Sequence, residues 1–143
     1  MTSFRYVGMD VHKDTIKFAV LDEGTNSLTF EKQLPNDPVK IEREIRRLQD
    51  GYELLTCYEA GPCGYEVKRL LDKIKVDCIV VAPGLIPRRA SDRVKTDRRD
   101  AEKLVRMLRA REIEEIHVPT ERTESVRDFV RCREDVREDY MRR

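Results

Sequence analysis

The sequence has no long apolar run and few glycines and cysteines, and each shortage excludes a class of protein. No segment approaches the roughly 20 apolar residues of a membrane-spanning helix. The six glycines form no cluster, which argues against the Gly-rich phosphate loops of an actin-like ATPase. The four cysteines are scattered without a C-x-x-C pair, which disfavours a structural zinc site and indicates reduced, non-ligating thiols. Because a signal-peptide pattern is also missing, we expect a cytoplasmic protein with no membrane partner.

Charge is abundant, and its near balance conceals a local excess of positive charge. Of the 143 residues, 40% are charged, and the formal net charge is +1. Residues 84–111 carry ten Lys/Arg and four Asp/Glu, which gives this segment a charge of +6. A basic segment of this kind is typical of a surface that binds a polyphosphate. A solvated helix face would give the same composition, so charge alone leaves both interpretations open.

The hydrophobic pattern predicts an α/β domain with the element order β-β-β-α-β-α-β-α. Three antiparallel strands followed by two βα crossovers predict a mixed five-stranded sheet with helices on its faces. We place this domain at residues 1–118 and expect a further charged helix from residue 121. The predicted strands are 5–11, 16–21, 27–33, 52–59 and 76–82, and the predicted helices are 38–49, 64–75 and 97–108.

Two aspartates lie on the apolar side of the predicted helix 97–108. Asp97 and Asp100 are three residues apart, which puts both on one helical face. That face continues as the apolar stripe of a buried helix. A carboxylate directed towards the core needs a partner there, so the pair is a candidate binding site. The stripe consists of Ala101, Leu104, Val105 and Leu108.

Two further acids are predicted at the ends of neighbouring strands. Asp10 lies inside the first strand, and Glu59 ends the fourth strand just before a Gly-Pro turn. In open α/β sheets, ligands bind at the carboxyl ends of parallel strands. Strands one and four can be neighbours in this topology. We therefore predict that Asp10 lies beside Glu59 and that the start of helix 97–108 closes over both.

Four carboxylates in one place need a cation or protons. Each close pair costs up to about 4 kcal/mol at about 4 Å. A divalent cation relieves this repulsion. Mg²⁺ prefers oxygen ligands, and two Mg²⁺ ions about 3.5–4 Å apart are common in phosphoryl-transfer sites. The neighbouring basic residues could then hold a nucleic-acid backbone. These residues are Arg88, Arg89, Arg93, Lys95, Arg98 and Arg99.

Each acid also has a purely structural interpretation. Asp97 and Asp100 could be a helix N-cap and a first-turn acid favoured by the helix dipole. Asp10 could face solvent on a sheet edge, and Glu59 could cap the following helix. His12, on the same side of its strand as Asp10, is either adjacent to a metal or simply part of a turn. The coincidence of all four acids at one place favours the metal site.

Three motifs in this order resemble a known family. "GMDVHKDTIKFAV", "YEAGPCGYE" and "VKTDRRDAEKL" are similar to the N-terminal domain of DEDD-type insertion-sequence transposases, which are recombinases guided by a bridge RNA. The resemblance covers about residues 5–118. It implies a RuvC-like fold of the ribonuclease H-like class. It also implies that Asp10, Glu59, Asp97 and Asp100 bind two Mg²⁺ ions, with Mn²⁺ as an alternative, for DNA strand cleavage and exchange.

The resemblance further implies partners and a second domain. Residues 119–143 would begin a coiled-coil linker to a C-terminal domain that is absent from this chain. The expected partners are DNA, the bridge RNA and further copies of the chain in a homo-oligomer. Two alternative functions stay open. One is a stand-alone Holliday-junction resolvase or ribonuclease H-like nuclease, and the other is a non-catalytic nucleic-acid-binding module.

Overall fold

Alternating apolar residues build a five-stranded sheet with three helices in the predicted order. A computed structural model of the chain describes residues 3–82 and 97–119, and for residues 97–100 it describes the backbone only. The predicted helix from residue 121 therefore lies outside the described residues. The strands are β1 (Ser3–Val11), β2 (Thr15–Asp22), β3 (Phe30–Pro35), β4 (Tyr52–Glu59) and β5 (Asp77–Val81), and the helices are α1 (Pro38–Leu48), α2 (Glu66–Lys73) and α3 (Asp97–Ala110).

The sheet is mixed, and β1 is its central strand. The strand order is β3-β2-β1-β4-β5. β2 pairs antiparallel with both β1 and β3, whereas β4 pairs parallel with both β1 and β5. The predicted α/β class with a mixed five-stranded sheet is confirmed. The predicted adjacency of the first and fourth strands is confirmed as well.

Helices α1 and α2 cover one face of the sheet. Every second residue of β1 and β2 on this face is apolar and buried, as the two-residue period of a strand requires. Asp37 caps α1, because its side chain accepts a hydrogen bond from the backbone N–H of Val39 at 3.2 Å. The core of this face includes Val7, Met9, Ile16, Phe18, Ile41, Ile45, Val67, Leu71 and Val80.

An ion-pair cluster joins α1 to β3 at the rim of this core. Glu44 is only 5% exposed and accepts hydrogen bonds from Lys32 and Arg47. Burial alone would raise the pKa of Glu44, but the hydrogen bonds from Arg47 and Lys32 outweigh it and lower the pKa below its ordinary value. The charged form of Glu44 is therefore the one that the fold stabilises.

Helix α3 covers the opposite face, so helices lie on both faces as predicted. Its apolar stripe splits into two contacts. One joins Ala101 and Val105 to β2, and the other joins Leu104 and Leu108 to β4 and β5. Gly8 of β1 lies directly beneath, where a Cβ atom would be 2.7 Å from the backbone nitrogen of Val105. The missing side chain at Gly8 thus allows the helix to pack close to the sheet.

The largest differences from the predicted bounds are those of β3 and α2, and both have local reasons. β3 begins at Phe30 instead of residue 27, because Leu28 leaves the strand path and packs in the cluster beneath α3. α2 ends at Lys73 instead of residue 75, because Lys75 adopts a φ of 61°, which a helix cannot continue through. After α3, Glu115 forms an isolated antiparallel bridge with Val81 of β5, and Ile116 donates its backbone N–H to the Val80 carbonyl. None of the described helices has the length and apolar character needed to cross a membrane.

Candidate metal site at the carboxyl edge of the sheet

Asp10 and Glu59 lie side by side, one on each of two neighbouring parallel strands. Met9 of β1 pairs with Tyr58 of β4, so the next residue of each strand lies one step further along. Side chains alternate along a strand. Asp10 therefore shares its face with Gly8, two residues earlier, and that is the face covered by α3. The same alternation puts Glu59 on the face of Cys57, which packs against Leu104 of α3. The two acids thus meet on one face, on strands about 4.8 Å apart.

The direction of α3 follows from the contacts at its last turns. Arg106 donates from its guanidinium to the backbone oxygen of Asn26 at 2.9 Å, and Arg109 donates to the backbone oxygen of Thr25. Both acceptors follow β2, and the neighbouring Glu23 donates its backbone N–H to the carbonyl of Phe4 at the start of β1. The end of α3 therefore lies at the amino end of β1.

The first turn of α3 consequently lies towards the carboxyl ends of β1 and β4. Asp97 is one helical turn before Ala101, which packs over Gly8 of β1, and Asp100 is one turn before Leu104, which packs over Cys57 of β4. The helical backbone thus puts both residues at the edge where Asp10 and Glu59 lie. Their side chains are not among those that the structure describes, so a carboxylate cluster of four stays a prediction.

The solvent-edge interpretation of Asp10 is wrong. β1 is the central strand, and the Asp10 side chain is only 15% exposed. Its carboxylate oxygen Oδ2 lies 2.8 Å from Nε2 of His12. A largely buried carboxylate at the end of a central strand has lost much of its hydration and needs charged or hydrogen-bonding partners.

His12 both forms a turn and contacts the acid, so its two interpretations are compatible. Its backbone N–H donates to the carbonyl of Thr15 at 2.8 Å, which closes the turn between β1 and β2. The side-chain amide of Asn36 donates to the His12 carbonyl at 2.7 Å. The backbone N–H of Asn36 also donates to the carbonyl of Asp14 at 2.9 Å. The turn is therefore braced from the segment that precedes α1.

Glu59 is not a helix cap. Helix α2 begins at Glu66, its N-cap residue is Tyr65, and no side chain caps it. Glu59 instead pairs with Val81 of β5, and the following Ala60 donates its backbone N–H to the Val81 carbonyl at 2.8 Å. This pairing fixes the backbone of Glu59 at the end of β4. The side chain of Glu59 therefore lies on the face that α3 covers.

Lys17 belongs to the same edge, and the sequence interpretation missed it. Asp10 of β1 pairs directly with Lys17 of β2, and Lys17 pairs with Gln33 of β3. Lys17 shares its face with Ala19 and Leu21, which pack against α3. A polar row therefore crosses the sheet through Gln33, Lys17, Asp10 and Glu59. The signal was available, because a symmetric four-residue turn at 12–15 puts residue 10 opposite residue 17.

The predicted phosphate-binding residues lie largely beyond the described part of the chain. Arg88, Arg89, Arg93 and Lys95 are outside the described residues, and Arg98 and Arg99 are in the first turn of α3, where only the backbone is described. Among the side chains that the structure does describe, which exclude Asp97 and Asp100, no group of three or more His, Cys, Asp or Glu forms a metal cluster.

Two of the three described thiols are unsuited to nucleophilic chemistry. Cys57 and Cys78 are buried, and burial raises the pKa of both, that of Cys78 to about 12. Cys57 lies 3.6 Å from the carbonyl of Leu104 beneath α3. Both thiols therefore stay protonated near neutral pH, which leaves the carboxylates as the reactive groups of this edge. Cys63 is also a free thiol, and Cys132 lies outside the described residues.

Comparison with known proteins gives a family match over nearly the whole chain. The family model of IS110-type DEDD transposases, described as "Transposase", matches residues 7–143. The chain is 43% identical over 139 residues to the transposase for insertion sequence element IS1533 of Leptospira borgpetersenii, a match that covers 96% of this chain and 40% of that protein. It is 44% identical over 130 residues to the putative transposase y4qE of Sinorhizobium fredii (strain NBRC 101917 / NGR234), which covers 90% and 33%. The chain thus spans 33–40% of the length of these curated relatives.

Two solved structures give partial matches to this chain. The large terminase nuclease from thermophilic phage G20c gives a TM-score of 0.46 at 18% identity and covers 55% of this chain and 44% of its own. Thermus thermophilus RuvC gives a TM-score of 0.43 at 12% identity and covers 81% and 83%. Both TM-scores are below 0.5, so the functional argument depends on the family match and on the residues of the site.

Proposed function

This chain belongs to the DEDD transposase family, and we propose that residues 1–118 are the metal-binding catalytic domain that cleaves and exchanges DNA strands during insertion-sequence transposition. One observation carries the proposal. Asp10 and Glu59 lie level with each other at the carboxyl ends of two parallel strands, beneath a helix that begins at Asp97. Guidance by a bridge RNA and assembly into a homo-oligomer belong to the same proposal and rest on the family alone.

The described residues of this edge fit a hard divalent cation. They offer carboxylate oxygens, the ligands that Mg²⁺ and Mn²⁺ prefer. Cys57, two residues before Glu59 on the same face, is buried beneath α3 and protonated. Asp10, Glu59, Asp97 and Asp100 would hold two Mg²⁺ ions. Such ions, when bound, supply Lewis-acid stabilisation of the charge that develops on phosphate oxygens.

The residues of the chain supply position and charge around that centre. The parallel register of β1 and β4 fixes the spacing of Asp10 and Glu59, and the packing of α3 keeps one side of the edge dry. Lys17 provides a positive charge beside Asp10. The predicted basic residues would hold the phosphate backbone, as positively charged side chains do in most protein–DNA contacts. These residues are Arg88, Arg89, Arg93, Lys95, Arg98 and Arg99. In this arrangement the DNA approaches from the carboxyl edge of the sheet.

Thermal unfolding with and without metal tests the proposal. Mg²⁺ or Mn²⁺ at about 100 times its Kd should stabilise the 143-residue chain by about 2.7 kcal/mol, which raises Tm by several degrees. Asp10→Asn and Asp97→Asn should each remove most of this rise, because each deletes a negatively charged ligand. Asp72→Asn is the matched control, because Asp72 pairs with Lys68 on α2, on the other side of the sheet. A wild-type Tm that does not respond to metal would count heavily against the proposal.

The two alternative functions give different outcomes with DNA. A junction resolvase uses the same four acids, so metal binding does not separate it from a transposase domain. Cleavage of branched DNA by this chain without a covalent protein–DNA adduct would favour the resolvase. A non-catalytic binding module would bind nucleic acid in a salt-dependent manner, and neither EDTA nor the acid-to-amide changes would alter its affinity.

A further inference from the structure

The carboxylate of Asp10 is held by a turn that is itself held in place. Oδ2 of Asp10 lies 2.8 Å from Nε2 of His12. A carboxylate only accepts hydrogen bonds, so the contact requires the proton of the imidazole to be on Nε2. Asn36 bonds to the same turn twice, through its side chain to the His12 carbonyl and through its backbone to the Asp14 carbonyl. The contact between His12 and Asp10 therefore joins a strand end to a braced loop.

We propose that His12 is a positioning residue that fixes the rotation of the Asp10 carboxylate for cation binding, and that Asn36 supports it by bracing the turn. The inference rests on the proposed metal site. Hydrogen bonds from surrounding residues orient ligating groups, and their removal typically weakens metal binding about 10–100-fold. An aspartate side chain has two rotatable bonds, which give its carboxylate rotational freedom. A donor that holds one oxygen removes much of that freedom.

The imidazole of His12 is separable from the turn that carries it. The hydrogen bonds that close and brace the turn use the backbone N–H and the backbone carbonyl of His12. Any residue except proline at position 12 retains them. The imidazole is 46% exposed, so its removal leaves no cavity in the core. Substitution of the side chain therefore tests positioning without dismantling the fold.

Calorimetric titration with Mn²⁺ of the whole 143-residue chain measures the effect. His12→Ala should weaken Mn²⁺ binding about 10-fold or more, because the donor to Asp10 is lost. His12→Gln should bind nearly as wild type, because its longer side chain brings an amide N–H to about the place of Nε2. His12→Asn is one carbon shorter and should resemble His12→Ala. Asn36→Ala should weaken binding in the same direction and by less.

The controls separate this inference from the proposed metal site. His117→Ala removes the other histidine, which lies on the segment beside β5, and should leave Mn²⁺ affinity unchanged. The metal-free Tm of each variant checks that it is folded. If the wild-type chain binds no Mn²⁺, the proposed metal site itself is wrong. If the wild type binds Mn²⁺ and folded His12→Ala binds it equally well, the metal site stands and the positioning role of His12 is overturned.

Discussion

At the scale of single residues, the chemistry of Asp10 is decided by two neighbours from one hairpin. Lys17 lies across from it on β2, and His12 contacts its carboxylate from the turn. The first is a permanent positive charge, and the second is a directional donor. At the proposed site, the charge of Lys17 would repel a metal ion and attract a phosphate group. Loss of that charge should therefore have opposite effects on the two proposed functions.

Lys17→Gln should therefore change metal and DNA affinity in opposite directions. Loss of the charge should strengthen Mn²⁺ binding by a factor on the order of a few, because a nearby unit charge repels a divalent ion by about 1 kcal/mol in a largely solvated site. DNA should bind more weakly. Calorimetry with Mn²⁺ and fluorescence anisotropy with labelled DNA measure the two effects. Lys40→Gln, on the exposed side of α1, should change neither. A parallel loss of both affinities would indicate that Lys17 supports the fold and not the site.

At the scale of elements, the approach of α3 to the sheet depends on the absence of a side chain at Gly8. A Cβ atom there would press on the backbone of Ala101 and Val105, and backbone cannot rotate out of the way. Displacing α3 would also displace its first turn, where Asp97 and Asp100 lie. Packing and site are therefore coupled through one contact between β1 and α3.

Gly8→Ala should lower both stability and metal affinity. Forcing one extra methyl group into a packed contact typically costs about 1–3 kcal/mol. Urea unfolding measures the loss of stability, and Mn²⁺ titration at a temperature where the variant is folded measures the affinity. Gly61→Ala is the matched control, because a Cβ atom at Gly61 meets nothing within 4 Å. Wild-type Mn²⁺ affinity in a destabilised Gly8→Ala would show that the first turn of α3 is not part of the site.

The elements themselves could be predicted where the pattern of apolar residues was unambiguous. β4 has the predicted bounds, 52–59, because it is a largely apolar run bounded by acids and followed by a Gly-Pro turn. The predicted start of β3 was wrong because Leu28 packs in the cluster beneath α3 and is not part of the strand. The end of α2 was missed because the left-handed φ of Lys75 leaves no mark in a sequence that has no glycine at that position.

The candidate site could be predicted in part for a related reason. Asp10 and Glu59 are strand-end acids, and strand order alone brings them together. To predict that Lys17 lies beside Asp10, one needs the pairing register of β1 and β2 and not only the presence of a hairpin. To predict the contact between His12 and Asp10, one needs the side-chain rotamers and the hydrogen bond to the turn from Asn36, which is 24 residues after His12 in the chain. Local sequence patterns indicate strand-end acids and strand order, but they do not indicate side-chain rotamers or contacts between distant residues.

At the scale of the whole molecule, the stretch of chain between β5 and α3 is attached to the candidate site at both of its ends. The chain leaves β5 at Val81, which pairs with Glu59, and α3 begins at Asp97 at the same edge. Residues 84–99 carry six Lys/Arg and two Asp/Glu, a charge of +4 in a chain whose net charge is +1. This distribution favours an approach of nucleic acid to the carboxyl edge of the sheet.

The salt dependence of DNA binding tests this charge distribution. Each phosphate contact contributes about −0.9 to the slope of log K against log salt for duplex DNA. The triple change Arg88→Gln, Arg89→Gln and Arg93→Gln should make the slope less negative by up to about 2.7. Arg43→Gln, on the exposed side of α1, should leave it unchanged. Titrations in Mg²⁺ and in EDTA extend the test. If the slope depends on the arginines and cleavage depends on Asp10, then the basic segment holds the DNA and the acids act on it.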